Sequence, residues 1–171
     1  MAARAARTMM TSACAAIALG FSAAPANADE PTLPAAPKKV YSIEKIGKLM
    51  TNVHDGTRLL ASCQADKGGT CTISRTFSVT RTIGVALGVS RSFVSGELNM
   101  SSARTVEVRA ACTSRAFTSN NQIYKAYPSG TRQWYKVVEK YYVGGKLKRT
   151  TKSVPLQAFN PQGVSCLMRT K

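Results

Sequence analysis

The chain has few acidic residues and hardly any histidine, and it carries none of the short motifs of common enzymes. Asp and Glu number 8 against 24 Lys and Arg, and His54 is the one histidine. There is no G-x-S-x-G, no H-E-x-x-H, no phosphate-binding loop and no pair of carboxylates at a readable spacing. Catalysis needs converging groups with suitable pKa values, and His54 has only its neighbour Asp55. We therefore predict that the protein is not an enzyme and uses no cofactor.

Long apolar runs are also missing, although a helix needs about 20 apolar residues to cross a bilayer. The N-terminus instead combines basic Arg4 and Arg7, a short apolar stretch over residues 11–24 and the small residues Ala26-Asn27-Ala28. This order is typical of a cleaved signal peptide, which we expect over residues 1–28. The sequence therefore predicts a secreted, soluble protein rather than one held by a membrane anchor.

The scarcity of acids leaves a formal net charge of +16. So large an imbalance causes self-repulsion in the folded state and favours anionic partners. For a secreted protein these include cell-wall polymers, anionic lipid surfaces, extracellular nucleic acid and acidic proteins. A charge that only maintains solubility is the alternative.

Four cysteines follow the predicted signal peptide, whereas Cys14 lies within it. The four are Cys63, Cys71, Cys112 and Cys166. An even number in an exported chain indicates two disulfides. We favour Cys63–Cys71, which closes a short loop, and Cys112–Cys166, which ties a long hairpin to the last strand. The rival pairing is Cys71–Cys112 with Cys63–Cys166. The spacing fits no usual zinc finger, so we expect no metal site.

Alternating side chains from Ile73 to Phe93 predict a long strand. The odd positions carry bulky apolar residues and three arginines, namely Arg75, Arg81 and Arg91, while the even positions carry small or hydroxyl residues. After Gly96 the apolar residues move to even positions, so a turn or bulge near residues 90–97 is expected. The segment from Ser90 onward also suits a short helix capped by Ser90.

The remaining segments predict one domain, 42–171, preceded by a Pro-rich extended arm over residues 29–41. Apolar residues at helical spacing predict a short helix from Ile43 to Val53. Short strands separated by Gly and Pro turns follow, including turns at Pro128-Ser129-Gly130 and Gly144-Gly145. The expected fold is mainly β, an antiparallel sandwich or twisted meander with one short N-terminal helix and two disulfides.

The run from Tyr124 to Lys152 is rich in basic and aromatic residues and contains one acid, Glu139. Alternation places Trp134, Lys136 and Lys140 on an exposed stripe and turns the odd-numbered residues of this strand toward the core. Lysines displace counterions from polyanions, and aromatic rings stack on sugars or bases. The predicted binding residues are Lys125, Arg132, Trp134, Lys136, Lys140, Tyr142, Lys148 and Arg149. An ordinary solvated hairpin whose lysines protect a sheet edge is the alternative.

The Ala-rich signal, the four later cysteines, the Ser/Thr/Val alternation and the segments VSRSFVSGELN, KAYPSGTRQWYKV and FNPQGVSC occur together. In this combination, residues 57–168 resemble small exported proteins of actinomycetes such as Streptomyces. The motifs carry no known chemistry, so the resemblance transfers no site. Some small secreted β proteins of these bacteria are adaptors in extracellular toxin assemblies called umbrella particles, where an extended N-terminal arm completes a partner's fold. The arm at residues 29–39 is compatible with such a role.

These observations predict a secreted, non-enzymatic binding or adaptor protein that engages an anionic cell-wall polymer or surface, or an acidic protein partner, through a basic aromatic hairpin. Two alternatives stay open. One is a membrane-active toxin that inserts residues 71–112 as a β-hairpin, which the three arginines on the lipid-facing side disfavour. The other is a secreted hydrolase inhibitor that presents the disulfide-closed loop Gln64 to Thr70.

Overall fold

A computed structural model describes residues 35–171, which form eight strands and one helix. In chain order these are β1 (Lys38–His54), β2 (Ala61–Cys63), β3 (Thr72–Thr80), β4 (Thr82–Ile83), α1 (Arg91–Glu97), β5 (Thr105–Thr113), β6 (Gln122–Val143), β7 (Lys146–Lys152) and β8 (Leu156–Thr170). The mainly β, antiparallel class is confirmed. The predicted signal peptide, residues 1–28, lies outside the described residues, as do residues 29–34 of the predicted arm.

The longest strand, β6, organises the larger sheet. Along one edge β6 pairs first with β2 and then with β1, and along the other edge it pairs first with β8 and then with β7. The short strand β4 extends this six-stranded sheet beyond β8, whereas β3 and β5 form a separate two-stranded sheet. Direct pairing with β6 therefore positions all the remaining strands of the larger sheet except β4.

Strand β6 runs through Pro128-Ser129-Gly130, so the turn predicted there is wrong. The pairing register shows one extra residue in β8, Gln162, between the partners of Ser129 and Gly130. The missing N–H of Pro128 is not needed by β8, because the Pro128 carbonyl accepts from Asp55 N at 2.8 Å and its nitrogen therefore faces the gap between β1 and β2, where neither strand pairs with it. Gly130 is required at this position because a side-chain carbon would clash with the backbone oxygen of Asn160.

The two halves of β6 bury opposite faces. Its even-numbered residues are buried from Tyr124 to Gly130, and its odd-numbered residues are buried from Gln133 to Glu139. The first half packs under the β3–β5 sheet in core 1, which contains Ile73, Ala110, Phe117, Tyr124 and Ala126. The second half packs against β4 and α1 in core 2, which contains Ile83, Val94, Tyr135, Val137 and Ala158. The even face of the second half is consequently left uncovered by the β3–β5 sheet.

Both favoured disulfides, Cys63–Cys71 and Cys112–Cys166, are confirmed. Cys63 lies on β2 of the larger sheet and Cys71 just precedes β3, while Cys112 lies on β5 and Cys166 on β8. All four half-cystines pack against core 1. Each bridge therefore fastens the two-stranded sheet to the larger sheet on either side of the same core.

The helix predicted from Ile43 to Val53 is wrong, because this segment belongs to β1. Residues Lys38 to Ile46 pair continuously with β6, which satisfies their backbone groups in the sheet. Gly47 and Asn52 then adopt left-handed backbone conformations, where the register of β1 shifts. The apolar residues at helical spacing do not form a buried stripe, and Leu49 is 55% exposed. The one helix of the described chain is α1, so its predicted N-terminal position is also wrong.

The single long strand predicted from Ile73 to Phe93 is correct only as far as Thr80, where β3 ends. Thr82 and Ile83 form the separate strand β4 in the larger sheet. The odd-numbered Ile73 and Val79 are buried on β3, and Ile83 is buried on β4. On β5 the even-numbered Val108 and Ala110 are buried on the same face as Ile73 and Val79. After Ile83 the chain leaves the sheet and forms α1 instead, as the alternative interpretation holds. Ser90 caps this helix, since its Oγ accepts a hydrogen bond from Phe93 N at 3.1 Å.

Two arginines of the alternating stretch hold the segment between α1 and β5. Arg81 is buried, and its guanidinium donates to Asn160 Oδ1 and to the Ala103 carbonyl, each at 2.7 Å. Arg91 donates to the Ser102 carbonyl at 3.0 Å and to the Arg81 carbonyl at 2.9 Å. Both side chains are thus structural in the folded domain.

No helix within residues 35–171 has the length and apolar character needed to cross a bilayer.

Candidate functional site

The uncovered face of β1, β6 and β7 carries the predicted basic aromatic stripe, and we call it the outer face. Directly paired residues of antiparallel strands point to the same side of a sheet, so the register defines its members. From β1 these are Lys38, Val40, Ser42, Glu44 and Ile46; from β6, Trp134, Lys136, Val138, Lys140 and Tyr142; and from β7, Leu147, Thr150 and Lys152. The face is therefore an amphipathic surface three strands wide.

An aromatic residue stands at each end of the outer face, with lysines between them. Trp134 and Tyr142 are eight residues apart on one strand, a separation of about 27 Å at the usual rise per residue. Lys136 and Lys140 lie between them and about 13 Å apart by the same rise. Lys38 is paired directly with Tyr142. The cations consequently follow a line along β6 rather than converging on one point.

One ion pair crosses the outer face. Lys152 Nζ on β7 lies 2.6 Å from Glu44 Oε2 on β1, although β6 runs between these two strands. The register places this bridge over β6 near Val138, which is buried although it points outward. The hydrogen bond from Lys152 holds the pKa of Glu44 below its usual value.

Three lysines of the outer face have no carboxylate partner within residues 35–171. These are Lys38, Lys136 and Lys140, since the carboxylate of Glu44, the acid on this face, is paired with Lys152. Lys38 and Lys140 are exposed, whereas Lys136 is half-buried beside Glu44. A solvent-accessible cation with no carboxylate partner can bind an external anion without first breaking an internal ion pair. The outer face therefore presents three available positive charges.

The acid of the hairpin, Glu139, lies on the opposite side of β6 and is buried. Its carboxylate accepts hydrogen bonds from Lys39 Nζ at 2.9 Å, from Tyr41 Oη at 3.1 Å and from Arg149 Nη2 at 3.4 Å. The bond from Lys39 is the main reason that the pKa of Glu139 lies below its usual value. The same contact raises the pKa of Lys39. Glu139 thus neutralises charge beneath the sheet and leaves the outer face basic.

Replacing Glu139 by glutamine is expected to lower the thermal unfolding midpoint at pH 7, because two cations and a phenol lose their common anionic acceptor. The wild-type carboxylate has a depressed pKa in the folded state, so its stabilising effect is present above the ordinary pKa of glutamate and is lost as the pH falls through the folded-state value. The difference in midpoint between the two proteins should therefore shrink from pH 7 to pH 3. A difference that stays constant over this range would contradict the assigned role of Glu139.

The structure separates the eight predicted binding residues. Four of them, Trp134, Lys136, Lys140 and Tyr142, lie together on the outer face. Arg149 lies beneath the sheet with Glu139, and its guanidinium carbon is 5.9 Å from the centre of the Tyr141 ring. Lys148 is exposed at the irregularity where β7 changes register.

The other two predicted residues lie outside the line of cations. Arg132 stacks on the ring of Phe159 at 5.6 Å, and its Nε is buried without a hydrogen-bond partner in the described chain. Lys125 is paired with Ser62 and Leu167 in the first half of β6, about 30 Å along the strand from Trp134.

The sequence interpretation misses the contribution of β1 to the outer face. Lys38, Val40 and Ile46 belong to it, but they fall in segments that the sequence predicts to be an arm and a helix. A signal for the strand is present, since partly buried Tyr41 and Ile43 alternate with exposed polar residues.

A shallow hollow of about 240 Å³ extends the outer face at its Tyr142 end. Its lining is Ala35, Ala36, Lys38, Val40, Tyr142 and Gly145. The hollow is mostly apolar and has one cation at its wall. It therefore continues the combination of apolar surface and positive charge seen along the strand.

The disulfide-closed loop from Gln64 to Thr70 is held against a neighbouring loop. Gly68 N donates to the Phe117 carbonyl at 2.8 Å, and Phe117 N donates to the Gly69 carbonyl at 2.9 Å. Lys67 N also donates to Asn120 Oδ1 at 2.8 Å. These backbone groups are engaged within the domain, whereas an inhibitory loop must offer such groups to a protease.

No three His, Cys, Asp or Glu side chains come together as a metal site within residues 35–171. No protein-family model matches the chain, and no curated protein is similar to it in sequence.

Proposed function

We propose that this is a secreted, non-enzymatic binding protein whose outer face binds a linear anionic polymer, such as an anionic polymer of the cell wall. The observation that carries the proposal is the line of Lys38, Lys136 and Lys140, without carboxylate partners, between two aromatic side chains. Disulfides that join the two sheets are compatible with a protein that works outside the cell.

A linear ligand fits this surface better than a compact one. The cations are spread over about 20 Å of strand, from Lys136 to Lys38 at the level of Tyr142, and they do not converge on a point that a single small anion could occupy. A chain with repeated charges can contact them in succession and release condensed counterions at each contact. Trp134, which is 40% exposed, offers a ring on which a sugar unit can stack.

Binding to cell walls tests the proposal directly. The protein is mixed with purified Gram-positive walls, either intact or after acid extraction of their phosphate-containing polymers, and the bound fraction is measured after centrifugation. Retention on intact walls and its loss on extracted walls is the expected result. Equal retention on both preparations would refute an anionic polymer as the ligand, and no retention on either would leave an acidic protein as the partner to be sought by cross-linking.

Replacing Trp134 by alanine is expected to weaken binding to a purified poly(glycerol phosphate) chain bearing sugar substituents by about tenfold, since one stacking contact contributes roughly 1–3 kcal/mol. The thermal midpoint should change little, because the side chain is exposed and lies outside both cores. Fluorescence anisotropy of the labelled polymer gives the affinity. The variant Leu59→Ala, which removes another exposed apolar side chain away from the outer face, is the control and should bind as the wild type does.

A further inference from the structure

A polar cleft lies on the other side of the sheet from the outer face, where the end of α1 approaches β1, β6 and β8. Its volume is about 240 Å³. The lining residues are Lys45, Leu49, Leu98, Asn99, Met100, Thr131, Gln133, Asn160 and Gln162. We call it the amide cleft, because four of these side chains are carboxamides. Its apolar members come from β1 and from the residues after α1, and Lys45 is its one charged member.

Hydrogen bonds fix the orientation of two of these carboxamides. Gln133 Nε2 donates to the Ile46 carbonyl at 3.1 Å and to the Trp134 carbonyl at 2.8 Å, so its Oε1 is left as an acceptor at the cleft. Asn160 Oδ1 accepts from Arg81 Nε at 2.7 Å, so its Nδ2 is left as a donor. Neither remaining atom has a hydrogen-bond partner within residues 35–171, and neither is sealed from solvent.

The buried Arg81 fixes the orientation of the Asn160 carboxamide. Arg81 has no carboxylate partner in the described chain, and it donates to Asn160 and to the Ala103 carbonyl instead. A charged donor makes a stronger hydrogen bond than a neutral one and fixes the amide group. Thr131, which pairs directly with Asn160, adds a hydroxyl beside it. The donor and the acceptor are therefore preorganised.

Gln133 and Asn160 are diagonal neighbours on one face of the sheet, since Gln133 pairs with Ala158 and Asn160 with Thr131. A donor and an acceptor so placed match a ligand hydroxyl, which accepts one hydrogen bond and donates another. The apolar side chains of Leu49, Leu98 and Met100 suit the C–H face of a sugar ring. Lys45 at the same cleft suits a negative charge on that ring. The volume is below the range of pockets for drug-sized molecules, which indicates a ligand of about one ring.

We propose that the amide cleft binds a single sugar residue that carries one anionic group, either a carboxylate or a phosphate. Asn160 and Gln133 recognise a ring hydroxyl, Lys45 recognises the anionic group, and Arg81 acts as a positioning residue for Asn160. The cleft and the outer face are on opposite sides of the sheet, so this proposal does not depend on the proposed function. It gives the protein a site for a single sugar unit, separate from the outer face that is proposed to bind repeated charges.

Side-chain amide resonances in two-dimensional ¹H–¹⁵N NMR spectra test the proposal. Glucuronate, glucose 6-phosphate and glucose are titrated separately into the full chain. At least one of the two anionic sugars is expected to shift the amide signals of Asn99, Asn160 and Gln162, and to bind about tenfold more tightly than glucose. The anionic sugar that binds more tightly identifies the charged group. No shift at these three signals with any of the sugars would overturn the proposal.

Two variants separate the contributions within the cleft. Asn160→Asp keeps the side-chain shape and an acceptor for Arg81, so the thermal midpoint should be maintained. It replaces the amide donor with an acceptor, so it should weaken the binding of neutral glucose and of the anionic sugars by about tenfold. Lys45→Gln should reduce the affinity for the anionic sugar to that for glucose. Lys48→Gln, on β1 but outside the cleft lining, is the control. Wild-type affinities in both cleft variants would also overturn the proposal.

Discussion

Replacing Cys112 and Cys166 together by serine is expected to lower the free energy of unfolding by about 4 kcal/mol. The bridge closes a loop of 54 residues in sequence, and cross-linking so long a loop restricts the unfolded chain strongly. It also joins β5 to β8 across core 1, where packing and the Cys63–Cys71 bridge also link the β3–β5 sheet to the larger sheet. Urea unfolding followed by far-ultraviolet circular dichroism measures the change.

The bridge Cys63–Cys71 provides the matched comparison. It also packs on core 1, but it closes a loop of only 8 residues, so the same relation predicts a loss of about 2.5 kcal/mol for its double serine variant. A larger loss for Cys63–Cys71 than for Cys112–Cys166 would show that constraint of the unfolded chain does not determine the contribution of these bridges. Equal losses would point to the shared packing against core 1 instead.

Reversing the charge of Lys136 and Lys140 together, by Lys→Glu at both positions, is expected to weaken binding to a poly(glycerol phosphate) chain at least about 100-fold at low salt. Each exposed lysine beside an anionic surface contributes about 1 kcal/mol, and a carboxylate in its place adds a repulsion of similar size. Both lysines lie in the middle of the line between Trp134 and Tyr142, so a polymer that follows β6 must pass them.

A highly basic protein binds polyanions weakly at many places, so the control must change the net charge equally. Arg109 on β5 and Arg115 after it are both exposed and form no ion pair within residues 35–171. Arg109→Glu combined with Arg115→Glu should therefore reduce the affinity only a few-fold, through the long-range field. Equal losses in the two double variants would assign the binding to overall charge and not to the outer face.

Local pattern was sufficient to predict much of the β architecture. Period-2 alternation identifies β3 and the second half of β6, because each is covered on one face only. The favoured disulfide pairing is also correct, since Cys63 and Cys71 bracket a short loop with glycines and Cys112 lies near the end of the strand that packs beside β8. These features depend on neighbours in sequence or on a small number of possible pairings.

The errors occur where long-range pairing overrides the local pattern. In β1, Ile43, Ile46 and Met50 fit a helix, yet pairing with β6 draws the backbone into the sheet, and the bulges at Gly47 and Asn52 break the alternation that would have identified a strand. At Pro128 the sequence indicates a turn, because it does not show that the proline nitrogen faces the gap between β1 and β2, where β6 needs no N–H donor.

The candidate site is predicted only in part, because some of its residues are positioned by long-range strand pairing. Trp134, Lys136, Lys140 and Tyr142 follow from alternation on a single strand. Lys38 belongs to the outer face because of the register of β1. Arg149 lies on the other side of the sheet, paired with the buried Glu139, because of the bulge in the β6–β7 hairpin. Neither is visible in the sequence without the pairing partner.

The salt dependence of binding tests the central claim most directly. For three lysines that each displace a counterion, the logarithm of the association constant should fall with the logarithm of salt concentration with a slope of about −2, by the relation for single-stranded polyanions. In the variant Lys136→Gln with Lys140→Gln the slope should fall to about −0.7, because one of the three contacts remains. A double variant with the wild-type slope would contradict the assignment of the outer face as the binding surface.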